Sequence, residues 1–208
     1  MPSERRHTHM MTSDPLILGF DTSAAHCAAA LLSGDRVLAS RTEEMTRGQA
    51  ERLMPLLEEV LAEGNVTWRD LTAIGVGVGP GNFTGIRIAV SAARGLALGL
   101  EIPAVGVNGF DARQAAGTLP AISAPRDQMY IAPSDGPARL TTLEDAQDTA
   151  NRLGLTLLAE NNPQGLAESI ARQAAARYAT TTEPPAPLYL RPADAAPSRD
   201  VPPALLDA

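Results

Sequence analysis

Apolar residues change their spacing several times between residues 16 and 107, and this succession restricts the possible folds more than any other feature of the chain. Two short apolar runs of strand length come first, at residues 16–20 and 26–32. Turn residues at 33–35 then join the second run to a third at 36–40. Short apolar runs joined by a glycine-containing turn predict a β-hairpin.

The following segments alternate between helix and strand. A helical period covers residues 46–63, and residues 73–78 return to the short apolar run of a strand. A glycine loop at 79–85 leads into a second predicted helix at 85–99, and residues 104–107 form one more predicted strand. This order predicts the α/β class, with a mixed sheet flanked by helices.

The pattern weakens after residue 108, where a change in composition predicts a second, smaller lobe. The elements predicted there are a short helix at 108–116, strands near Ala121 and Met129, a helix at 143–153, a strand at 155–158 and a helix at 163–178. The predicted domains are a disordered leader (1–13), a first lobe (14–108), a smaller second lobe (109–182) and a proline-rich segment (183–208) that returns to the first lobe.

All 17 basic residues of the 208-residue chain are arginine. The absence of lysine excludes a P-loop lysine, a Schiff-base lysine and a kinase-type lysine unless a partner supplies the group. The 24 acidic residues give a net charge of −7, which argues against a nucleic-acid surface that works alone.

Cysteine usage and the placement of charges predict a cytoplasmic protein. Cys27 is the single cysteine, which excludes an internal disulfide and suits a reducing compartment. The longest apolar stretch, residues 86–107, contains Arg87, Arg94 and Glu101, so we predict no membrane span.

The few histidines restrict metal binding and acid–base catalysis. His7 and His9 lie in the polar leader, so a His/Cys site would have to use His26 and Cys27. Adjacent residues on a strand point to opposite faces, so these two cannot ligate one ion together. We therefore predict no metal site, and no histidine base is identified for a serine hydrolase.

Two segments are candidates for contact with an anion. The first is the polar triplet at the end of the first predicted strand: Asp21, Thr22 and Ser23. The second lies between a strand and a helix N-terminus and contributes Gly79, Gly81, Asn82, Thr84 and Gly85. Backbone N–H groups at such a place favour a phosphate, but tight turns that satisfy their own backbone have the same composition. A nucleotide loop and a structural loop therefore both remain open.

Two predicted helices carry a candidate interface. Helix 46–63 has a wide apolar face that includes Ala50, Leu53, Met54, Leu57 and Leu61. Helix 85–99 has small residues at every fourth position, namely Gly85, Ala89, Ala93 and Ala97. A ridge of small residues allows a second helix to approach closely. Core packing explains one side of helix 85–99, and the neighbour on its other side could be the Leu/Met face of helix 46–62 or another subunit.

In combination, several of these motifs resemble the TsaB (YeaZ) family. They are Asp21-Thr22-Ser23, the Leu-Met-Pro-Leu-Leu run at 53–57, the Gly-Pro-Gly-Asn-Phe-Thr-Gly-Ile-Arg run at 79–87, Gly95-Leu96-Ala97 and Leu188-Tyr189-Leu190-Arg191. The resemblance covers residues 16–110 best. It implies an actin-like ASKHA (ribonuclease H-like) fold of two lobes, of which the second is reduced.

The resemblance also implies a function in tRNA modification. It implies a non-catalytic subunit that binds and activates a TsaD-like catalytic subunit, together with a TsaE-like ATPase, to form threonylcarbamoyladenosine beside the anticodon. tRNA would be bound through the complex, and a homodimer would use the same helices when the partner is absent. No cofactor is expected, except a nucleotide at the interface with the partner.

The metal site of the catalytic relatives is not expected in this chain. In the resemblance, Gly109 and Arg113 stand where those relatives have the histidines of an HxxxH element. Two enzymatic alternatives remain open at this stage, a metal-dependent peptidase and a nucleotide-dependent phosphotransferase of the ASKHA superfamily.

Overall fold

A five-stranded mixed sheet forms the centre of the first lobe in the computed structural model, which describes residues 14–159 and 164–190. The strands are β1 (Leu16–Asp21), β2 (His26–Ser33), β3 (Arg36–Glu44), β4 (Ala73–Gly77) and β5 (Ala104–Val107). Their order is β3-β2-β1-β4-β5. The antiparallel pairing of β2 with β3 confirms the predicted hairpin, and β4 pairs in parallel with both β1 and β5.

Helices cover both faces of this sheet. α1 (Gln49–Glu63) and α2 (Phe83–Leu100) pack on one face, in a core cluster that includes Leu18, Leu56 and Ile86. α4 (Leu166–Arg177) packs on the opposite face, where Ile17 and Ile170 are buried, so this helix belongs to the first lobe although the sequence placed it in the second. Because β2 and β4 are buried on both sides, they have nearly continuous apolar sequences.

A smaller four-stranded sheet forms the second lobe. Its elements are β6 (Thr118–Ala124), β7 (Gln128–Ile131), β8 (Arg139–Thr142), α3 (Leu143–Arg152) and β9 (Thr156–Leu158). The strand order is β8-β7-β6-β9, and α3 covers one face. β8 was absent from the sequence-based predictions because its sequence, Arg-Leu-Thr-Thr, contains one apolar residue and none of its residues is fully buried.

Local side-chain hydrogen bonds explain two differences between the predicted and the observed helices. The predicted helix at 108–116 is wrong, since only Asp111–Arg113 forms a short 3-10 helix. The Asn108 side chain accepts hydrogen bonds from the backbone N–H of Phe110 at 3.0 Å and of Asp111 at 2.8 Å, which holds a turn rather than a long helix. α2 begins at Phe83, two residues earlier than predicted, because Asn82 caps it.

Two predictions fall wholly or partly outside the described residues. The predicted leader at 1–13 lies outside them, as does the final part of the proline-rich segment from residue 191 onward. Within the described part, the segment before Leu190 returns to the first lobe, where the Leu188 N–H donates to the Val78 carbonyl at 2.8 Å.

Among the described residues, α2 is the one helix whose length and composition would suffice to cross a membrane. This is weak evidence for a span, because the core helix of a soluble protein has the same properties. In the structure Ile86, Ala89 and Ala93 of this helix are buried in the first-lobe core.

Candidate functional site

The two candidate loops meet at the end of the first-lobe sheet that faces the second lobe. The Thr22 hydroxyl donates to the Gly85 carbonyl at 2.7 Å, and the Asn82 N–H donates to the Ser23 carbonyl at 2.6 Å. The Asn82 side chain accepts from the Gly85 N–H at 2.9 Å and so caps α2. The residues predicted in the two separate segments therefore form one packed cluster.

Close backbone packing explains why the second loop contains glycine. Gly79 has φ +93°, a conformation that side chains rarely adopt, whereas Gly81 has no positive φ. A Cβ atom on Gly81 would overlap the Ser23 carbonyl, and one on Gly85 would overlap the Thr22 carbonyl. The packing between the loops thus requires these glycines, whichever ligand the loops contact.

A buried hydrogen-bonded cluster lies beside these loops, and sequence reasoning missed its histidine. One carboxylate oxygen of Asp21, Oδ1, accepts from the Ser23 N–H at 2.9 Å, from the Ser23 hydroxyl at 2.9 Å and from His26 Nε2 at 2.7 Å. Asp21 is 2% exposed and His26 4% exposed. The hairpin register could have revealed the contact, since Asp21 pairs with Ala28, which shares a strand face with His26.

The electrostatics of this cluster favour an ionised Asp21. Burial raises the pKa of the Asp21 carboxyl, but the hydrogen bond and charge of His26 and the bonds from Ser23 outweigh it, so the pKa is lowered from 3.8. The Ser23 hydroxyl donates to Asp21 and not to the histidine ring. His26 is therefore a partner of Asp21, and this arrangement does not activate Ser23 as a nucleophile.

Cys27 lies on the opposite face of β2, in the first-lobe core, as the alternation of a strand predicts. Burial, with a further contribution from the charge of Glu43, raises the pKa of its thiol to about 12. Among the residues that the structure describes, no group of three or more His, Cys, Asp or Glu side chains is placed to hold a metal ion.

A cavity of about 530 Å³ lies between the two lobes, next to the Asp21 cluster. The first lobe contributes polar lining residues, including Ser23, Gln49 and Asn82, and the second contributes Ile122 and Tyr130. Arg113, on the connection between the lobes, also lines it. Burial lowers the pKa of the Arg113 guanidinium, and the Asp21 charge acts in the opposite direction.

The structure places most of the predicted interface residues inside the chain's own core. The buried ones are Leu53, Leu57, Leu61, Gly85, Ala89 and Ala93. The prediction that these six contact another subunit is wrong, because the first-lobe sheet already covers the small-residue ridge and the leucine face. Ala50 and Met54 are exposed, and Ala97 is half-buried.

The model of the family described as "TsaD: tRNA N6-adenosine threonylcarbamoyltransferase" matches residues 36–194. Among curated relatives, the tRNA threonylcarbamoyladenosine biosynthesis protein TsaB of Escherichia coli K12 is 37% identical over 92 residues, which is 44% of this chain and 39% of that protein. The tRNA N6-adenosine threonylcarbamoyltransferase of Bifidobacterium adolescentis is 29% identical over 160 residues, or 70% of this chain and 46% of that protein. The alignments thus span less than half the length of these two relatives.

A solved structure from Pseudomonas aeruginosa resembles the whole described architecture. It is a protein "with similarity to peptidase YEAZ", and it is 28% identical to this chain with a TM-score of 0.66. The likeness covers 85% of this chain and 100% of the other.

Proposed function

Because the chain belongs to the TsaD family of tRNA N6-adenosine threonylcarbamoyltransferases, and within it to the TsaB (YeaZ) group, we propose that it is a non-catalytic subunit of a complex that makes threonylcarbamoyladenosine in tRNA. Its two lobes have the actin-like ASKHA (ribonuclease H-like) fold, and the second lobe is the smaller one. In this proposal it binds and activates a TsaD-like catalytic subunit and works with a TsaE-like ATPase.

The observation that carries the proposal is the apolar outer surface of the two helices on the first lobe. Leu98 on α2 is 83% exposed and Met54 on α1 is 38% exposed. Gly95 on α2 and Ala50 on α1 are also exposed, and α1 contacts α2. Exposed large apolar side chains on adjacent helices are typical of a surface that another protein covers.

Charged residues of both signs accompany these apolar residues. Glu51 and Glu58 are exposed on α1, and Arg87 and Arg94 are exposed on α2. Interfaces commonly have an apolar centre and a polar rim, and the rim selects the partner more than it contributes affinity. We define the outer helix surface as the exposed residues Ala50 and Met54 of α1 and Gly95 and Leu98 of α2, together with these four charged residues, and propose that the TsaD-like subunit docks there. Gly95 and Leu98 also line a groove with Pro103 and Pro185.

The proposed division of labour follows from the side chains near the cavity. His26 and Ser23 are both hydrogen-bonded to Asp21, so in this proposal they hold Asp21 in place and do not act as a catalytic base and a nucleophile. With a net charge of −7, the chain is poorly suited to bind tRNA alone, so tRNA would be held by the assembled complex in the cytoplasm. A nucleotide, if any, would bind at the interface with the partner, and a homodimer would use the outer helix surface when the partner is absent.

Charge insertion on the outer helix surface tests this proposal. Met54→Arg and Leu98→Arg should each weaken binding to a TsaD-like subunit by at least about tenfold, since a desolvated charge without a partner disfavours association. Leu143→Arg is the matched control, because Leu143 is 52% exposed but begins α3 in the second lobe. Affinity would be measured by calorimetry, and threonylcarbamoyladenosine in tRNA by mass spectrometry.

The outcomes separate docking from folding and from catalysis. Ala89→Arg is unsuitable as an interface test, because Ala89 is fully buried and an arginine there would disrupt the core. Circular dichroism should show that all three surface variants fold. Unchanged affinity of both helix variants would place the interface elsewhere, and metal-dependent peptide hydrolysis or ATP turnover by the isolated chain would overturn the non-catalytic role.

A further inference from the structure

The cavity between the lobes has the size and the mixed lining of a small-molecule site. Its volume of about 530 Å³ lies within the range of about 300–1,000 Å³ that is typical of ligand pockets. Ile122, Pro125 and Tyr130 supply apolar surface from the second lobe, whereas Thr46 and Gln49 supply polar groups from the first. The two sides could therefore hold the apolar and polar parts of one molecule.

Arg113 is the one arginine among the lining residues, and one hydrogen bond of its guanidinium is found among the described residues. Its Nη1 donates to the Gly109 carbonyl at 3.1 Å, and no other bond of the guanidinium is found among the described residues. Its other guanidinium nitrogens keep some accessible surface, and the residue lines the cavity. Asp21 does not form an ion pair with Arg113, and its Oδ1 already accepts three hydrogen bonds.

The charges around the cavity select a ligand with one negative charge. A guanidinium presents parallel N–H donors that match a carboxylate. Glu44 lines the cavity as well, and the Asp21 carboxylate lies close enough to affect the pKa of Arg113. The Asp21 carboxylate is paired with His26, which also lines the cavity, so Glu44 is the acidic lining residue left without that partner, and it disfavours a polyanion such as a nucleoside triphosphate.

We propose that the cavity binds a small organic carboxylate, with the carboxylate on the Arg113 guanidinium and its apolar body against Ile122 and Tyr130. The site is separate from the outer helix surface, because its lining residues contain none of Met54, Gly95 and Leu98. The proposed ligand site can therefore be tested separately from the proposed docking to a TsaD-like subunit.

Benzoate is a suitable probe, since it combines one carboxylate with a planar apolar body, and benzamide is its uncharged counterpart. We expect the isolated full chain to bind benzoate with at least about tenfold higher affinity than benzamide, because benzamide lacks the charge that strengthens the hydrogen bonds from the guanidinium. Amide and arginine Nε–H signals would be followed by NMR titration at constant ionic strength, with chloride as the replacement salt.

Two arginine variants localise the binding. Arg113→Met should lower the affinity for benzoate to that for benzamide, and Arg113→Lys should retain an intermediate affinity because it keeps the charge without the planar donors. Arg126→Met is the matched control, since Arg126 is exposed in the β6–β7 turn and does not line the cavity. Circular dichroism and the dispersion of the NMR spectrum check that each variant folds.

Each result decides the proposal. Loss of benzoate binding in folded Arg113→Met, with binding kept in Arg126→Met, supports it. Equal affinity for benzoate and benzamide, unchanged binding in Arg113→Met, no binding to the unaltered chain, or tighter binding of ATP than of benzoate would each overturn it.

Discussion

The five-stranded sheet of the first lobe has helices on both faces, whereas the four-stranded sheet of the second lobe has α3 on one face only. The opposite face of the second sheet, with Ile122 and Tyr130, packs against Phe110 and the segment at Leu188 and Leu190. This cover is incomplete, and the inter-lobe cavity lies beside it. The first-lobe sheet is therefore covered on both faces, whereas one face of the second-lobe sheet borders the cavity.

The two lobes are therefore stabilised by cores of different size. Leu56 in α1 and Leu119 in β6 are both almost fully buried, but they belong to clusters of very different size. A small core next to an open cavity should open more readily than a sheet covered on both faces. The second lobe should consequently be the part that opens first and that responds most to a ligand in the cavity.

Paired leucine truncations provide the largest expected effect. Leu56→Ala should lower the free energy of unfolding by about 2–5 kcal/mol, because it removes buried surface and leaves a void in the larger core. Leu119→Ala should instead lower the protection of second-lobe amides and leave β1 and β2 protected. Hydrogen exchange by NMR measures both. Equal losses of protection throughout the chain in the two variants would show that the lobes unfold as one unit.

Removal of the buried charge at Asp21 should have the next largest effect, on the edge of the first lobe that faces the cavity. Asp21→Asn should lower stability by about 1.5–3 kcal/mol near pH 7, since it weakens charge-assisted bonds to His26 and Ser23. Asp127→Asn, at an exposed position of the β6–β7 turn, is the matched control and should change stability by less than about 0.5 kcal/mol.

The sign of the pH dependence follows from the lowered pKa of Asp21. A carboxyl whose folded-state pKa lies below its unfolded value contributes stability that is complete above the unfolded value and is lost as the pH falls through the folded value. The difference between the unaltered chain and Asp21→Asn should therefore narrow only below the ordinary value of 3.8. Urea titrations across this range measure it, and a difference that stays constant well below pH 3.8 would contradict the assignment.

Two glycine substitutions give the smallest effects and should have opposite signs. Gly81→Ala should lower stability by about 1–3 kcal/mol, because its Cβ would overlap the Ser23 carbonyl between the two loops. Gly95→Ala, in α2 with no atom near its Cβ, should raise stability by up to about 1 kcal/mol. Denaturation midpoints test the pair. An unchanged midpoint for Gly81→Ala would mean that the loops separate without cost.

The first-lobe elements were predictable from the sequence because their apolar periods are long and their turn signals strong. The β2–β3 hairpin, helices α1 and α2, and β5 were all predicted, with boundary shifts of four residues or fewer. The second lobe was predicted less well, since β8 has a single apolar residue and the segment after Asn108 is held by side-chain bonds to the backbone rather than by a helical period. Local bonds of this kind have no periodic signature.

Residue identity and local spacing were enough to predict the α/β class, to exclude mechanisms that need a lysine of this chain, and to identify the motifs that resemble the TsaB family. Those properties depend on residue identity and local spacing, which the chain carries without folding. The folded structure was needed to show that His26 contacts Asp21, that Arg113 lines a cavity, and that Ala89 is buried while Leu98 is exposed. Strand pairing and helix docking bring together residues that are far apart in the chain, and a helical period alone does not distinguish a face that packs on its own sheet from one left open to a partner.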